Sequence, residues 1–171
     1  MTMVETKAAP VTRDAVEELL FLEADLLDRR QWDEWLSLYT PDAVFWVPSW
    51  RNEDQTVENP ELELNLIYIN GRGGLEDRVF RFDSGDSYAS LPLPATSHVV
   101  GSVRLLRQTD EQVEAGAKWI VATMSHRRGT QIRSGWYDYV LRRTEHGLRI
   151  ARKKVTLLET AIDGTIDVYN L

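Results

Sequence analysis

"HVVGSVRLLRQ" (His98–Gln108), "KWIVATMSHRR" (Lys118–Arg128), "RSGWYDYVLRR" (Arg133–Arg143) and "LRIARKKVTLLE" (Leu148–Glu159) follow one another through the second half of the chain. Each is rich in β-branched and aromatic residues, and "TDEQ", "GTQI" and "TEHG" stand between them as turn signals. Strand-like runs joined by short polar connections predict a long antiparallel meander.

Upstream the pattern is helical. Thr12 is placed to cap a helix with Asp14 in its first turn, and Val16, Leu19, Leu20, Glu23, Leu27 and Arg30 recur at helical spacing. "QWDEWLSLY" predicts a second, short helix with Trp32, Trp35, Leu36 and Tyr39 on one side, ended by Pro41. "DAVFWVPSW" and "LNLIYIN" read as strands, and the acidic "RNEDQTVENPELE" between them as an exposed loop. In "GLEDRVFR" (Gly74–Arg81) the spacing of Leu75, Val79 and Phe82 suits a short helix, with Val79 and Phe80 as its inward pair. "SLPLPATS" is read as an extended proline-rich connection. Helices first and strands afterwards predict an α+β fold, with a curved antiparallel sheet wrapping its concave face over the helices. Residues 1–11 are expected to be a flexible terminus and 12–171 a single domain.

A chain of 171 residues can bury one sizeable core, and 43% hydrophobic with 27% charged residues is the balance of a soluble globular protein. No apolar run is long enough to cross a bilayer, and the first ten residues lack the apolar core of a signal peptide, so the expectation is a cytoplasmic protein with no membrane contact. The net charge of −7 conceals an asymmetry: residues 1–96 carry 8 basic and 19 acidic groups, residues 97–171 carry 12 basic and 8 acidic. The positives of the second half are scattered and the whole chain would repel a phosphate backbone, so nucleic acid is excluded as a partner. A solvated sheet face or charge complementarity between subunits accounts for the asymmetry.

With no cysteine, the chain has no disulfide, no thiolate nucleophile and no Cys-ligated metal. His98, His126 and His146 are too far apart in sequence to form a recognisable metal motif, and His146 in "TEHGL" is an exposed turn residue. "NGRGG" lacks the strand and helix that would make it a phosphate loop, and no serine stands in a nucleophile elbow. Asp28, near the end of the first helix, and His98, at the start of the meander, are the one pair a curved sheet could bring together. In an open pocket they could serve as acid and base for a dehydration or isomerisation. Otherwise His98 is a satisfied strand-end histidine and Asp28 a helix-end acid. Of the six tryptophans, Trp32, Trp35 and Trp46 are expected in the core, and Trp50, between Pro48 and Arg51, as an exposed anchor.

Taken together, "LDRRQWDEWLSLYTPDAVFWVP", "LIYINGRGGLEDRVFR", "TSHVV" and the tail "RIARKKVTLLETAIDGTIDVYNL" resemble the small (beta) subunit of aromatic-ring-hydroxylating dioxygenases, in the benzoate, toluate, anthranilate and salicylate branch. The resemblance runs from about Ala15 to Leu171. It implies a cone-shaped, nuclear-transport-factor-2-like (cystatin-like) fold and a structural subunit without a catalytic, cofactor or metal site of its own. It further implies a large (alpha) subunit carrying a Rieske 2Fe-2S cluster and a mononuclear Fe(II), with NAD(P)H supplied through a reductase. The implied assembly has three large and three small subunits, in which small subunits also touch their own copies around a threefold axis.

Within that resemblance, Glu76, Asp77, Arg78 and Arg81 are either groups presented to neighbouring subunits or members of a local ion-pair network such as Asp77 with Arg81. Trp50 and Tyr169 complete the expected interface set, and "IDVYNL" is expected to pack at the base of the cone. The cone's interior is either filled by aromatic side chains or left as a pocket for a ligand. The basic hairpin "SHRRGTQIRSG" matches no family motif and its partner stays open. The alternative is a free-standing dehydratase or isomerase of the same fold using Asp28 and His98.

Overall fold

A computed structural model describes residues 9–84 and 92–171. Among them are three α-helices and a six-stranded sheet. The flexible terminus expected over 1–11 lies mostly outside the described residues, as does the first part of "SLPLPATS".

Helix α1 (Arg13–Asp28) starts where expected: the Thr12 hydroxyl accepts from Ala15 N at 3.2 Å, satisfying one free donor of the first turn. Its buried stripe is Val16, Leu19, Leu20, Glu23, Ala24, Leu26 and Leu27. Arg30 leaves the helix at φ 56, a left-handed turn that sends the chain into α2 (Trp32–Ser37). That helix is one turn and a half, and Tyr39, expected on it, already belongs to β1 (Tyr39–Pro48).

Strand β2 (Asn65–Asn70) pairs antiparallel with β1, and α3 (Arg72–Asp83) follows it directly. The turn between them needs Gly71, whose φ of 96 a side chain would strain. Leu75, Val79 and Phe82 form the buried face of α3. Phe80, expected inward beside Val79, is 69% exposed, because one residue of helix rotates it by about 100° off the buried stripe.

The meander is β3 (Ala95–Gln108), β4 (Gln112–Ser125), β5 (Gly129–Thr144) and β6 (Gly147–Leu157). The sheet order is β2-β1-β6-β5-β4-β3. All neighbours are antiparallel except β1 and β6, which run parallel with Trp46 opposite Lys154, so the sheet is mixed rather than wholly antiparallel. The chain reaches this arrangement because α3 and the outward run of the meander carry it round before β6 comes back beside β1. The β4–β5 turn also differs from expectation. It is His126–Arg128, and "GTQI" begins β5, with Ser125 opposite Gly129.

The inward-facing residues of β4 and β5 alternate strictly, giving Val113, Ala115, Ala117, Trp119 and Val121 against Tyr137, Tyr139 and Leu141. They close over α1. A bulge between Gly101 and Arg104, with Ser102 at φ 52, bends β3 and increases the curl of the sheet around the helix. The tail ends in a 3₁₀ turn, Val168–Asn170, capped by the Asp167 carboxylate, and Val168, Tyr169 and Leu171 are buried at the base of the cone.

Candidate functional site

The interior is closed by a polar centre. Glu23, on the buried stripe of α1, accepts from the hydroxyls of Tyr39 (2.5 Å) and Tyr139 (2.7 Å) and from Lys153 Nζ (2.8 Å). Lys153 Nζ also lies 4.2 Å from the centre of the Tyr137 ring. Burial opposes ionisation of Glu23, but the Lys153 charge and these hydrogen bonds overcome it and hold the carboxyl below its usual range. Burial lowers Lys153, with Glu23 resisting, and the tyrosines rise well above 10 because burial and the Glu23 charge both oppose phenolate. A buried ion pair of this kind needs further hydrogen bonds to its charged groups, and the two tyrosines supply one to each carboxylate oxygen of Glu23. Around it Trp119 stacks on Tyr137 at 5.3 Å, and Tyr139 and Trp35 add edge-on contacts to Tyr137 and Tyr39. The sequence left open whether the cone is filled by aromatic side chains or holds a ligand, and these contacts show aromatic filling. The ion pair was not foreseen, although Glu23 recurring among leucines was a signal for it.

Asp28 and His98 do meet, at 2.6 Å between Oδ1 and Nδ1. Asp28 Oδ2 accepts from the His98 backbone N–H at 2.8 Å, and Oδ1 from the Thr96 hydroxyl at 2.8 Å. Burial would raise the Asp28 pKa, but the His98 and Thr96 bonds outweigh it and the carboxyl sits below its usual range. An ionised Asp28 fixes the proton on Nδ1, which leaves Nε2 of the neutral tautomer as an acceptor. Nε2 is buried and has no partner among the described residues, and the His98 side chain is 1% exposed. Arg30 donates to the carbonyls of Leu93 and Pro94 (3.0 and 3.3 Å) and draws that strap over the helix end. The gap between Leu27, Trp32, Leu93, Thr96 and Tyr169 is too narrow for water. The pair has the distance that acid/base chemistry requires; the His98 ring is shut off from solvent, while the Asp28 side chain keeps 23% of its surface exposed.

The expected interface residues divide between the chain's own contacts and its surface. Arg78 reaches Asp167 at 3.3 Å, tying α3 to the tail, and Tyr169 packs edge-on against Phe82 with ring centres 5.3 Å apart. Glu76 pairs with Arg72 at 3.0 Å on the same helix, whereas Asp77 and Arg81 are exposed. Trp50 is half-buried, and its indole N–H donates to the Leu157 carbonyl at 2.9 Å. A separate cleft of about 360 Å³ opens between Pro92, Pro94, Thr123, the His126–Arg128 turn and Asn170, and takes in part of the basic hairpin left unmatched above.

The loop over 51–64 is highly organised. Glu63 accepts from the backbone N–H groups of Glu58 (2.8 Å) and Asn59 (2.9 Å) and from Arg51, and these bonds lower its pKa to about 2. Asn52 and Asn59 side chains close Asx turns onto Asp54, Gln55 and Glu61. Asn65 ties the far end to Trp46 and to the carbonyls of Pro60 and Glu63.

Among the described residues no three His, Asp or Glu side chains converge as metal ligands. His98 is engaged by Asp28, and His126 and His146 are exposed on different turns. With no cysteine, these residues do not fit a Rieske cluster, nor do they form a facial triad for mononuclear iron.

Comparison with known proteins places this architecture. The family model described as "Ring hydroxylating beta subunit" matches residues 22–164. The 2-halobenzoate 1,2-dioxygenase small subunit of Burkholderia cepacia is 44% identical over 157 residues, covering 91% of this chain and 94% of that protein. Among solved structures, the beta subunit of benzoate 1,2-dioxygenase from Burkholderia mallei superposes with a TM-score of 0.79 at 29% identity, over 96% of this chain and all of that one. A cystatin-like, NTF2-like protein from Novosphingobium aromaticivorans shares the fold at a TM-score of 0.62 and 17% identity, covering 87% of this chain and 83% of that one. Family match, relatives and fold agree, and the chain belongs to the beta (small) subunits of aromatic-ring-hydroxylating dioxygenases.

Proposed function

We propose that this chain is the non-catalytic small subunit of an oxygenase acting on a benzoate-type aromatic carboxylate. It supports a large subunit that carries a Rieske 2Fe-2S cluster and a mononuclear Fe(II), reduced from NAD(P)H through a reductase. The substrate class rests on the 2-halobenzoate and benzoate enzymes to which the related small subunits belong. The observation that carries the structural role is the filled interior: Glu23 and Lys153 pair with each other at its centre, and the His98 side chain beside Asp28 is 1% exposed. The assembly is three large and three small subunits in the cytoplasm. Its surfaces include the exposed side of α3 with Asp77 and Arg81, and none of the described helices is long and apolar enough to cross a membrane.

The test is co-expression with the large subunit from the same operon, followed by light scattering and iron analysis of each peak. The expected result is an iron-free small-subunit peak, an iron-containing complex, and ring hydroxylation of benzoate only by that complex. Turnover by the isolated chain of a hydroxylated substrate through dehydration, abolished by Asp28→Asn, would overturn the reading in favour of the acid/base alternative.

A further inference from the structure

The loop over 51–64 is stitched together by its own side chains, yet it presents Leu62 and Leu64 to solvent at 83% and 86% exposure. A loop that holds two leucines outward in fixed positions has already met the ordering cost that a contact would otherwise demand. Its rim is acidic, with Glu53, Asp54, Glu58 and Glu61 all exposed.

The complementary surface lies on the same chain. On the outer face of β3, β4 and β5 the cross-strand rows are Ala95–Met124–Thr130, Ser97–Ala122–Ile132, Val99–Ile120–Ser134 and Gly101–Lys118–Trp136. Val99, Ile120, Met124, Ile132 and Trp136 are each more than 40% exposed, so these rows form one apolar field on three adjacent strands. Its charged neighbours are Lys118 beside Trp136, the row Arg104–Gly116–Asp138–Lys154, and Arg127 at the hairpin tip, four cations to one carboxylate. The sequence asymmetry, acidic before residue 97 and basic after it, is in space an acidic knob and a basic-bordered apolar face.

We propose that the Leu62–Leu64 knob of one copy seats on the Val99–Ile120–Ile132–Trp136 face of the next. The contact joins unlike patches, so repetition around a rotation axis closes a ring of small subunits. This inference rests on the reading of the chain as a subunit of a multi-copy assembly, and it names the surfaces through which copies meet.

The absence of cysteine makes the contact directly testable in the co-expressed complex. Leu64→Cys and Ile132→Cys are made singly and together and treated with a short bis-maleimide, and the products are sized against a chain mass of 19.7 kDa. The expected result is a product of twice the chain mass only when both cysteines are present. Cross-linking of Leu64→Cys alone to itself, cross-linking of it to the large subunit, or no product from the double variant would each overturn the proposal. In parallel, Leu62→Asp/Leu64→Asp is expected to keep its thermal melting temperature, since neither leucine is buried, and to lower the number of small subunits per particle by native mass spectrometry. An unchanged number of copies in a complex that still contains the large subunit overturns the knob and leaves the subunit reading intact. A wild-type chain that never joins the large subunit overturns the subunit reading itself.

Discussion

Glu23 and Lys153, 130 positions apart in sequence, face each other at 2.8 Å inside the cone, one from the first helix and the other from the last strand. Because both are almost wholly buried, removing one leaves the other as an unpaired charge in the interior. Lys153→Ala is therefore expected to cost about 3–5 kcal/mol in urea unfolding. Glu23→Gln/Lys153→Met, which removes both charges and keeps an acceptor for a tyrosine hydroxyl, is expected to recover more than half of that loss. A double variant no better than Lys153→Ala would show that the site depends on the lysine's packing and not on the pair.

Asp28 gives the fold an acid-sensitive fastening. Its pKa is lowered below the ordinary 3.8 in the folded chain, so its contribution is complete above 3.8 and is lost as pH falls through the lower folded value. Asp28→Asn is expected to destabilise by about 1.5–3 kcal/mol at pH 7, the range for hydrogen bonds to a charged group. The difference between wild type and variant should shrink in denaturation curves taken at successively lower pH from 5 downward. A gap that stays constant over that range would mean that the His98 and Thr96 bonds do not depend on the carboxylate charge.

At the base of the cone the ring contact and the ion pair carry unequal weight. Tyr169 is buried against Phe82, whereas Arg78 is partly open to water in its pairing with Asp167. Tyr169→Ala is expected to cost about 3–5 kcal/mol by analogy with other buried aromatics, and Arg78→Ala about 1 kcal/mol or less. Equal losses in calorimetry would refute this ranking.

A glycine pair separates close packing from open surface. A Cβ at Gly135 would stand 1.8 Å from the Thr156 carbonyl oxygen, while at Gly101 nothing lies within 4 Å. Gly135→Ala is expected to push β5 off β6 at a cost of about 1–3 kcal/mol or more, and Gly101→Ala to be close to neutral. Matching melting temperatures for the two variants would contradict the β5–β6 approach.

Much of the fold was legible because its signals are local. The alternation through Val113–Val121 and Tyr137–Leu141 marks strands, and Val16, Leu19, Leu20 and Leu27 mark a helix stripe. The approach of His98 to Asp28 followed from a sheet that curls over that helix. What the sequence concealed depends on closure. The parallel pairing of β1 with β6 leaves no trace in either strand's composition, because a buried central strand reads alike in both directions. The turn at His126–Arg128 was displaced onto "GTQI" because Gly129 and Thr130 look like turn residues, while the ladder in fact extends to Ser125 opposite Gly129. Whether Glu76, Arg78 and Tyr169 face inward or outward was equally hidden, since their partners Arg72, Asp167 and Phe82 are settled only by how α3 and the tail dock.

The parallel seam between β1 and β6 also sets a timetable for synthesis. Tyr39 and Trp46 find their ladder partners at Ile150 and Lys154, which leave the ribosome more than a hundred residues after them. Until then β1 can pair only with β2, and a two-stranded ribbon is marginal in water. The nascent chain therefore waits with an apolar strand edge uncovered, a state prone to capture by other chains. Of the strands described, the last to be made is the one that seals the first.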